Sequence, residues 1–264
     1  MLDFDNIDDW APKFTAALTR YVPDSVGQNL RASAPKCIED ARNLLFALTD
    51  RHAVIDGALN LIRSEEIAGY HGSRLTDAEV ASVRSYGLIP LKAEERRARL
   101  IRALSLHPKW QDVTERLDTV LQAHGRGCSA GHREGQVHLA LSRAGLTDGF
   151  NHYLTHGSEF DQHVAHALLG PEGVELLARY GEPRVFQFAI PSDFALEAAN
   201  PYFSIDELLT RGDVPSLVDE FLKGWSYRLA YQGFQSQTRK VGCGMVFRSV
   251  VPAAWIRAFD TLAD

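Results

Sequence analysis

The sequence lacks any stretch of eighteen consecutive apolar residues, and its first five, Met1-Leu2-Asp3-Phe4-Asp5, are acidic where a secretory leader starts basic. A soluble, cytoplasmic protein with no membrane partner is the expectation. Cysteine is scarce too: Cys37, Cys128 and Cys243 are odd in number and far apart, which fits reduced thiols better than a disulfide framework. No internal repeat and no low-complexity tract is present. An excess of positive charge is missing, and the net charge of −6 argues against long-range attraction to a polyanion, leaving only a local basic cleft as a route to nucleic acid. Composition excludes disorder, because 45% of the residues are apolar and 23% charged, the proportions of a globular chain with a buried core.

What is present has a clear order along the chain. From Ile7 to about Glu66 apolar residues recur at helical spacing, as in Ala41, Leu44, Leu45 and Leu48, with Pro12, Pro23 and Pro35 marking helix starts or the turns before them. Residues 1–66 therefore read as a helical amino-terminal region. A strand-like run over Ala68–Ser73 follows. Next comes a helix capped by Thr76 and Glu79 and stopped by Gly87. Residues 92–124 read as a charged helical insertion of one or two helices, with Arg96, Arg97, Arg99 and Arg102 as a solvated face. Further strands are expected at Gln136–Leu141, Asn151–Thr155, Arg184–Ile190 and Gly244–Val251, and helices at Ser158–Leu169, Pro171–Tyr180, Ser204–Arg211 and Val214–Ala230. The class is α+β, with residues 67–264 forming a domain behind the helical start.

Chemistry can sit in two polar clusters. In Tyr70-His71-Gly72-Ser73-Arg74, a histidine at a strand end offers a ring nitrogen beside a hydroxyl, and glycine permits close backbone approach. The plainer reading is a turn cluster. In His152-Tyr153-Leu154-Thr155-His156-Gly157-Ser158-Glu159, a strand is expected to end in hydroxyls, with Ser158 capping the next helix and Asp161 three residues on. The plainer reading there is a well-made helix start.

Taken in order, Tyr70-His71-Gly72-Ser73, the helix ending at Gly87-Leu88, Gln136-Val137-His138-Leu139 and Tyr153-Leu154-Thr155 resemble the core of the ADP-ribosyltransferase superfamily over roughly residues 68–256. The resemblance implies a split β-sheet core and a site for nicotinamide adenine dinucleotide (NAD), used as a substrate and cleaved with release of nicotinamide. It places His71 against the nicotinamide-side ribose, the Gly72 backbone against the nicotinamide amide with Ser73 beside it, and Tyr153 and Thr155 on the strand facing them. The chain departs from the family pattern where a catalytic glutamate is expected, because Cys243-Gly244-Met245 stands there. Gln235-Ser236-Gln237 is similar to the family's Gln-x-Glu loop, which puts Gln237 in the acid's place, and Glu159 is the nearest candidate for a replacement base. Arg133 to Leu139 is also similar to a stretch of the RNA 2'-phosphotransferases of the same superfamily, which implies Arg74, Arg133, His138 and Arg248 as phosphate binders.

The expected function is thus transfer of ADP-ribose to a protein or nucleic-acid acceptor that the sequence does not identify. Alternatives on the same fold are a 2'-phosphotransferase, an NAD glycohydrolase and a non-catalytic binding protein. A metallohydrolase using His152, His156, His163 and Asp161 is the alternative from another class, but a spacing of four aligns His152 with His156 only on a helix, and that segment reads as strand and turn.

Overall fold

A computed structural model describes residues 1–124, 134–149, 151–238 and 243–262. Along the chain run α1 (Ile7–Leu18), α2 (Val26–Ser33), α3 (Ile38–Leu48), α4 (Arg51–Arg63), β1 (Glu66–Leu75), α5 (Asp77–Tyr86), α6 (Ala93–Leu104), α7 (Trp110–Val113) and α8 (Leu117–His124). There follow β2 (Val137–Ala140), α9 (His152–His156), α10 (Glu159–Leu169), α11 (Pro171–Leu177), β3 (Glu182–Pro191), α12 (Ser192–Ala199), α13 (Ile205–Thr210), α14 (Ser216–Ala230), β4 (Gly244–Phe247) and β5 (Ile256–Thr261). The strands form an antiparallel sheet in the order β4-β2-β1-β3-β5, so the fold is α+β. No helix among the described residues is long and apolar enough to cross a membrane.

Contacts gather the chain into two units. The first comprises Met1–Gly69, Ala140–Leu146 and Phe188–Met245, so the amino-terminal helices cluster with α12–α14. Its core is aromatic. Trp10 and Phe14 from α1 meet Phe221 from α14, with ring centroids 4.9 and 5.6 Å from that ring, and all three are buried with Phe4. Offset and edge-on geometry adds to the burial of such large side chains. The Trp10 indole donates to the Phe4 carbonyl at 3.2 Å, which satisfies its one polar atom. Gly57 in α4 is required by close approach, since a Cβ there would lie 2.7 Å from the Tyr21 ring and 2.8 Å from Leu18. Cys243 belongs to this unit, and burial pushes its thiol up to about 12, so it is an inert thiol at neutral pH.

The second unit comprises Tyr70–Leu139, Thr147–Gln187 and Val246–Asp264. Its core joins α6, α8, α10 and α11 through Leu100, Leu104, Leu117, Phe160, Val164 and Leu177. The capping box expected at Thr76 and Glu79 is present, and Gly87 ends α5 at φ 83°. A Cβ on Gly87 would fall 2.0 Å from the Val251 carbonyl, with which Leu88 makes an isolated bridge, so no larger residue fits.

Two expectations from the sequence are corrected here. The segment Asn151–Thr155, expected as a strand carrying Tyr153 and Thr155, is the helix α9. Its turn is closed by bonds from the Thr155 amide to Asn151 and from the Gly157 amide to Tyr153, both 3.0 Å, and Gly157 at φ 78° stops it. Five residues are too few for a two-residue period to be told from a helical one, so local hydrogen bonding decided. The arginines of α6 are not a uniformly solvated face either: Arg97 is exposed, but Arg99 is 2% exposed. The insertion itself breaks into α6, α7, a short 3-10 turn and α8.

Candidate active site

A cleft of about 340 Å³ opens in the second unit, at the lower end of the range for small-molecule sites. Its floor comes from β1 and β2. One wall is the end of α5 with residues 87–92, and the other is α9 with the first turn of α10. Apolar surface from Val83, Leu88, Ile89, Leu91, Val137 and Phe160 surrounds a few convergent polar groups.

His71 lies on β1 and lines this cleft with Gly72 and Ser73. Its Nδ1 sits 2.9 Å from the His138 backbone carbonyl, an oxygen that can only accept, so Nδ1 carries the proton. Burial holds the imidazole below its ordinary pKa, with the carbonyl contact partly opposing it. At neutral pH His71 is therefore the neutral tautomer in which Nε2 is an acceptor. His138 itself lines the cleft from β2, and its ring Nε2 is 2.9 Å from Gln136 Oε1.

Tyr153 reaches the cleft from α9 and donates its hydroxyl to Glu159 Oε1 at 2.9 Å. Glu159 is the first residue of α10, behind the N-cap Ser158, whose hydroxyl accepts from the Asp161 amide. His152 approaches the same carboxylate oxygen at 3.3 Å and packs its ring 4.0 Å from that of Tyr153. The carboxylate is thus held at the cleft wall between a phenol and an imidazole.

The structure brings His71, Gly72, Ser73, His138, Tyr153 and Glu159 together around one cavity, and Arg74, Thr155, Gln237 and Arg248 are not among its lining residues. Arg74 is buried on β1 and does not line the cleft, because successive residues of a strand point to opposite faces. Thr155 is exposed on α9 and bonds back to the Asn151 carbonyl at 3.2 Å. Gln237 is exposed on a 3-10 turn, Ser236–Thr238, in the first unit, and is not among the residues lining the cleft. Arg248 is exposed, and Arg133, with Cys128, lies outside the described residues.

Charged residues missed in the sequence complete the site. Glu79, Lys92, Glu95 and Arg96 also line the cleft. Lys92 pairs with Glu95 at 3.0 Å. Arg96 forks onto Asp161 and Arg99 binds Asp161 and Glu79, so one buried network lies behind the cleft wall. Burial opposes the charge on Asp161, but Arg96 and Arg99 hold its carboxyl below the usual aspartate value. Burial likewise raises Glu79, and the charge and bonds of Arg99 outweigh it, leaving that carboxyl lowered.

The metal alternative gains a shared face and loses a ligand. Because α9 is helical, His152 and His156 do lie one turn apart, contrary to expectation, but Asp161 is fully buried against two arginines. Among the described residues no group of three or more His, Cys, Asp or Glu side chains could hold a metal ion. No family model, no curated protein and no solved structure matches this chain.

Proposed function

We propose that the cleft binds the nicotinamide–ribose end of NAD and that this protein is an ADP-ribosyltransferase, passing ADP-ribose to a macromolecular acceptor and releasing nicotinamide. The observation that carries the reading is the shared cavity of His71, Tyr153 and Glu159, with the carboxylate held by the tyrosine hydroxyl. Breaking the bond between nicotinamide and ribose develops positive charge on the sugar, as in glycoside cleavage, and a fixed carboxylate stabilises that charge. His71 Nε2, an acceptor, suits a ribose hydroxyl. The apolar wall suits a flat ring and excludes water from the reacting carbon.

Glu159 would also take the proton of an attacking hydroxyl or amine, a role that the neutral amide of Gln237 cannot fill. The phosphate-centred alternative has less support. Among the described residues, the cationic side chains lining the cleft, Lys92 and Arg96, are each paired with a carboxylate, and Glu79 and Glu159 add negative charge.

The test is nicotinamide release from NAD, with His71→Ala as the probe. The parent should release nicotinamide, and the variant, with the same melting temperature, should be slower by about 100-fold through lost positioning. An inactive parent refutes the reading. So does a folded His71→Ala variant of full activity.

A further inference from the structure

We infer that Arg99 is a positioning residue that sets the cleft wall carrying Glu159, an inference that rests on the reading of that cleft as the active site. Arg99 stands on α6 with its side chain only 3% exposed, and its guanidinium is spent on three other elements at once. Nη2 donates to the Arg74 carbonyl on β1 at 2.8 Å, Nη1 donates to the Glu79 carboxylate on α5, and Nε donates to Asp161 on α10 at 3.2 Å. The flat group also lies 5.0 Å from the centre of the Tyr180 ring.

Each anchor is close in sequence to a residue of the cleft. Arg74 follows His71 by three positions, Glu79 lines the cleft itself, and Asp161 follows Glu159 by two. Two residues on a helix are about 200° apart round its axis, so holding Asp161 inward turns Glu159 outward to the cleft. Arg96 binds Asp161 as well, but it does not join β1 and α5 to the same point. Only a planar fork with several fixed donors spans three such acceptors, and a lysine ammonium presents a single point.

Positioning must be separated from simple stability. Arg99→Met alone strands Glu79 as an unpaired carboxylate, so the informative variant is Arg99→Met combined with Glu79→Gln. Gln at that position keeps the capping box, and Asp161 keeps Arg96. The readouts are kcat and KM for nicotinamide release, the melting temperature, and amide exchange over residues 157–161. The double variant should melt near the parent, lose about tenfold or more in kcat with KM within about threefold, and exchange at least about tenfold faster over 157–161. Parent kcat and parent exchange in that variant would overturn the inference.

Arg99→Lys is the second variant, should the first not fold. It keeps the charge but not the fork, and the same kcat loss is expected. Full activity with parent exchange in Arg99→Lys would equally overturn the claim. If the parent releases no nicotinamide, the proposed function fails on its own, and the exchange measurement alone decides Arg99: faster exchange over 157–161 supports its role, and unchanged exchange refutes it.

Discussion

Replacement of Asp161 by alanine tests whether the network behind the cleft wall holds the second unit together. Asp161 is 0% exposed and accepts from Arg96 Nε at 3.0 Å, from Arg96 Nη2, and from Arg99 Nε at 3.2 Å. Alanine keeps the backbone amide that Ser158 caps, so the helix start survives and only the carboxylate is lost. What remains is two guanidiniums without their shared carboxylate, that of Arg99 still bound to Glu79. Removing one partner of a buried ion pair costs about 3–5 kcal/mol, because the charge left behind cannot be rehydrated. At about 2–4 °C per kcal/mol for a chain of this size, the melting transition should fall by roughly 6–20 °C.

Calorimetry and urea denaturation measure the effect, with Asp118→Ala as the control. Asp118 pairs with Arg97 on the exposed side of α6, and its loss should leave the transition unchanged within error. The pH dependence has a definite sign. The Asp161 carboxyl is held below its unfolded value, so the folded state binds fewer protons; its stabilising contribution is full above the ordinary aspartate pKa of about 3.9 and is lost as pH falls further. Asp161→Asn should therefore flatten the acid limb of the stability curve relative to the parent. A loss below about 1 kcal/mol in Asp161→Ala, or an unchanged acid limb in Asp161→Asn, would refute the assignment of this pair as a stabilising network.

Two other outcomes are expected. Phe221→Ala empties the centre of the aromatic core of the first unit and should cost about 3–5 kcal/mol in urea denaturation, whereas a loss under about 1 kcal/mol would mean that the neighbouring rings close the gap. Glu159→Gln should slow single-turnover nicotinamide release by roughly 100-fold or more while Gln237→Ala stays near the parent, and the reverse order would return the acid's role to the Gln235-Ser236-Gln237 turn.

Much of the fold was legible because its signals are local. Thr76 with Glu79 announces a capping box, and Gly87 a stop. The apolar run Val185–Ile190 lies within β3, and the alternating Val137–Leu139 lies within β2. The amino-terminal helices were readable from spacing alone, but their association with α12–α14 was not, since it depends on rings from Trp10 and Phe221 more than two hundred positions apart. β5 was missed because Ile256–Thr261 is half exposed and carries Arg257 and Asp260, so it lacks the apolar content of a central strand. It lies at the sheet edge, where polar residues are tolerated. Tyr153 was placed beside His71 for a reason that did not hold: the expected facing strand is a helix, and β2, one of the two strands that flank β1, carries His138.

The arginines of α6 divide by helical phase. Leu100, Ala103 and Leu104 form the buried stripe of that helix, and Arg96, four residues before Leu100, and Arg99, four before Ala103, fall on the same stripe. Arg97, three residues before Leu100, falls at the edge of the stripe and Arg102 opposite it, and both remain outside, where they meet Asp118 and Tyr180. A cation at a stripe position must find a buried acceptor, because an unpaired charge in a core is too costly to persist. That requirement points to an acid at an equally buried position. Asp161, beside Phe160 and three residues before Val164, stands on the inner face of its own helix. Reading Asp161 only as the partner of Ser158 in a helix cap hid it. Helical phase, applied to charged residues as well as to apolar ones, marks Arg96, Arg99 and Asp161 as inward-facing charges that need buried partners.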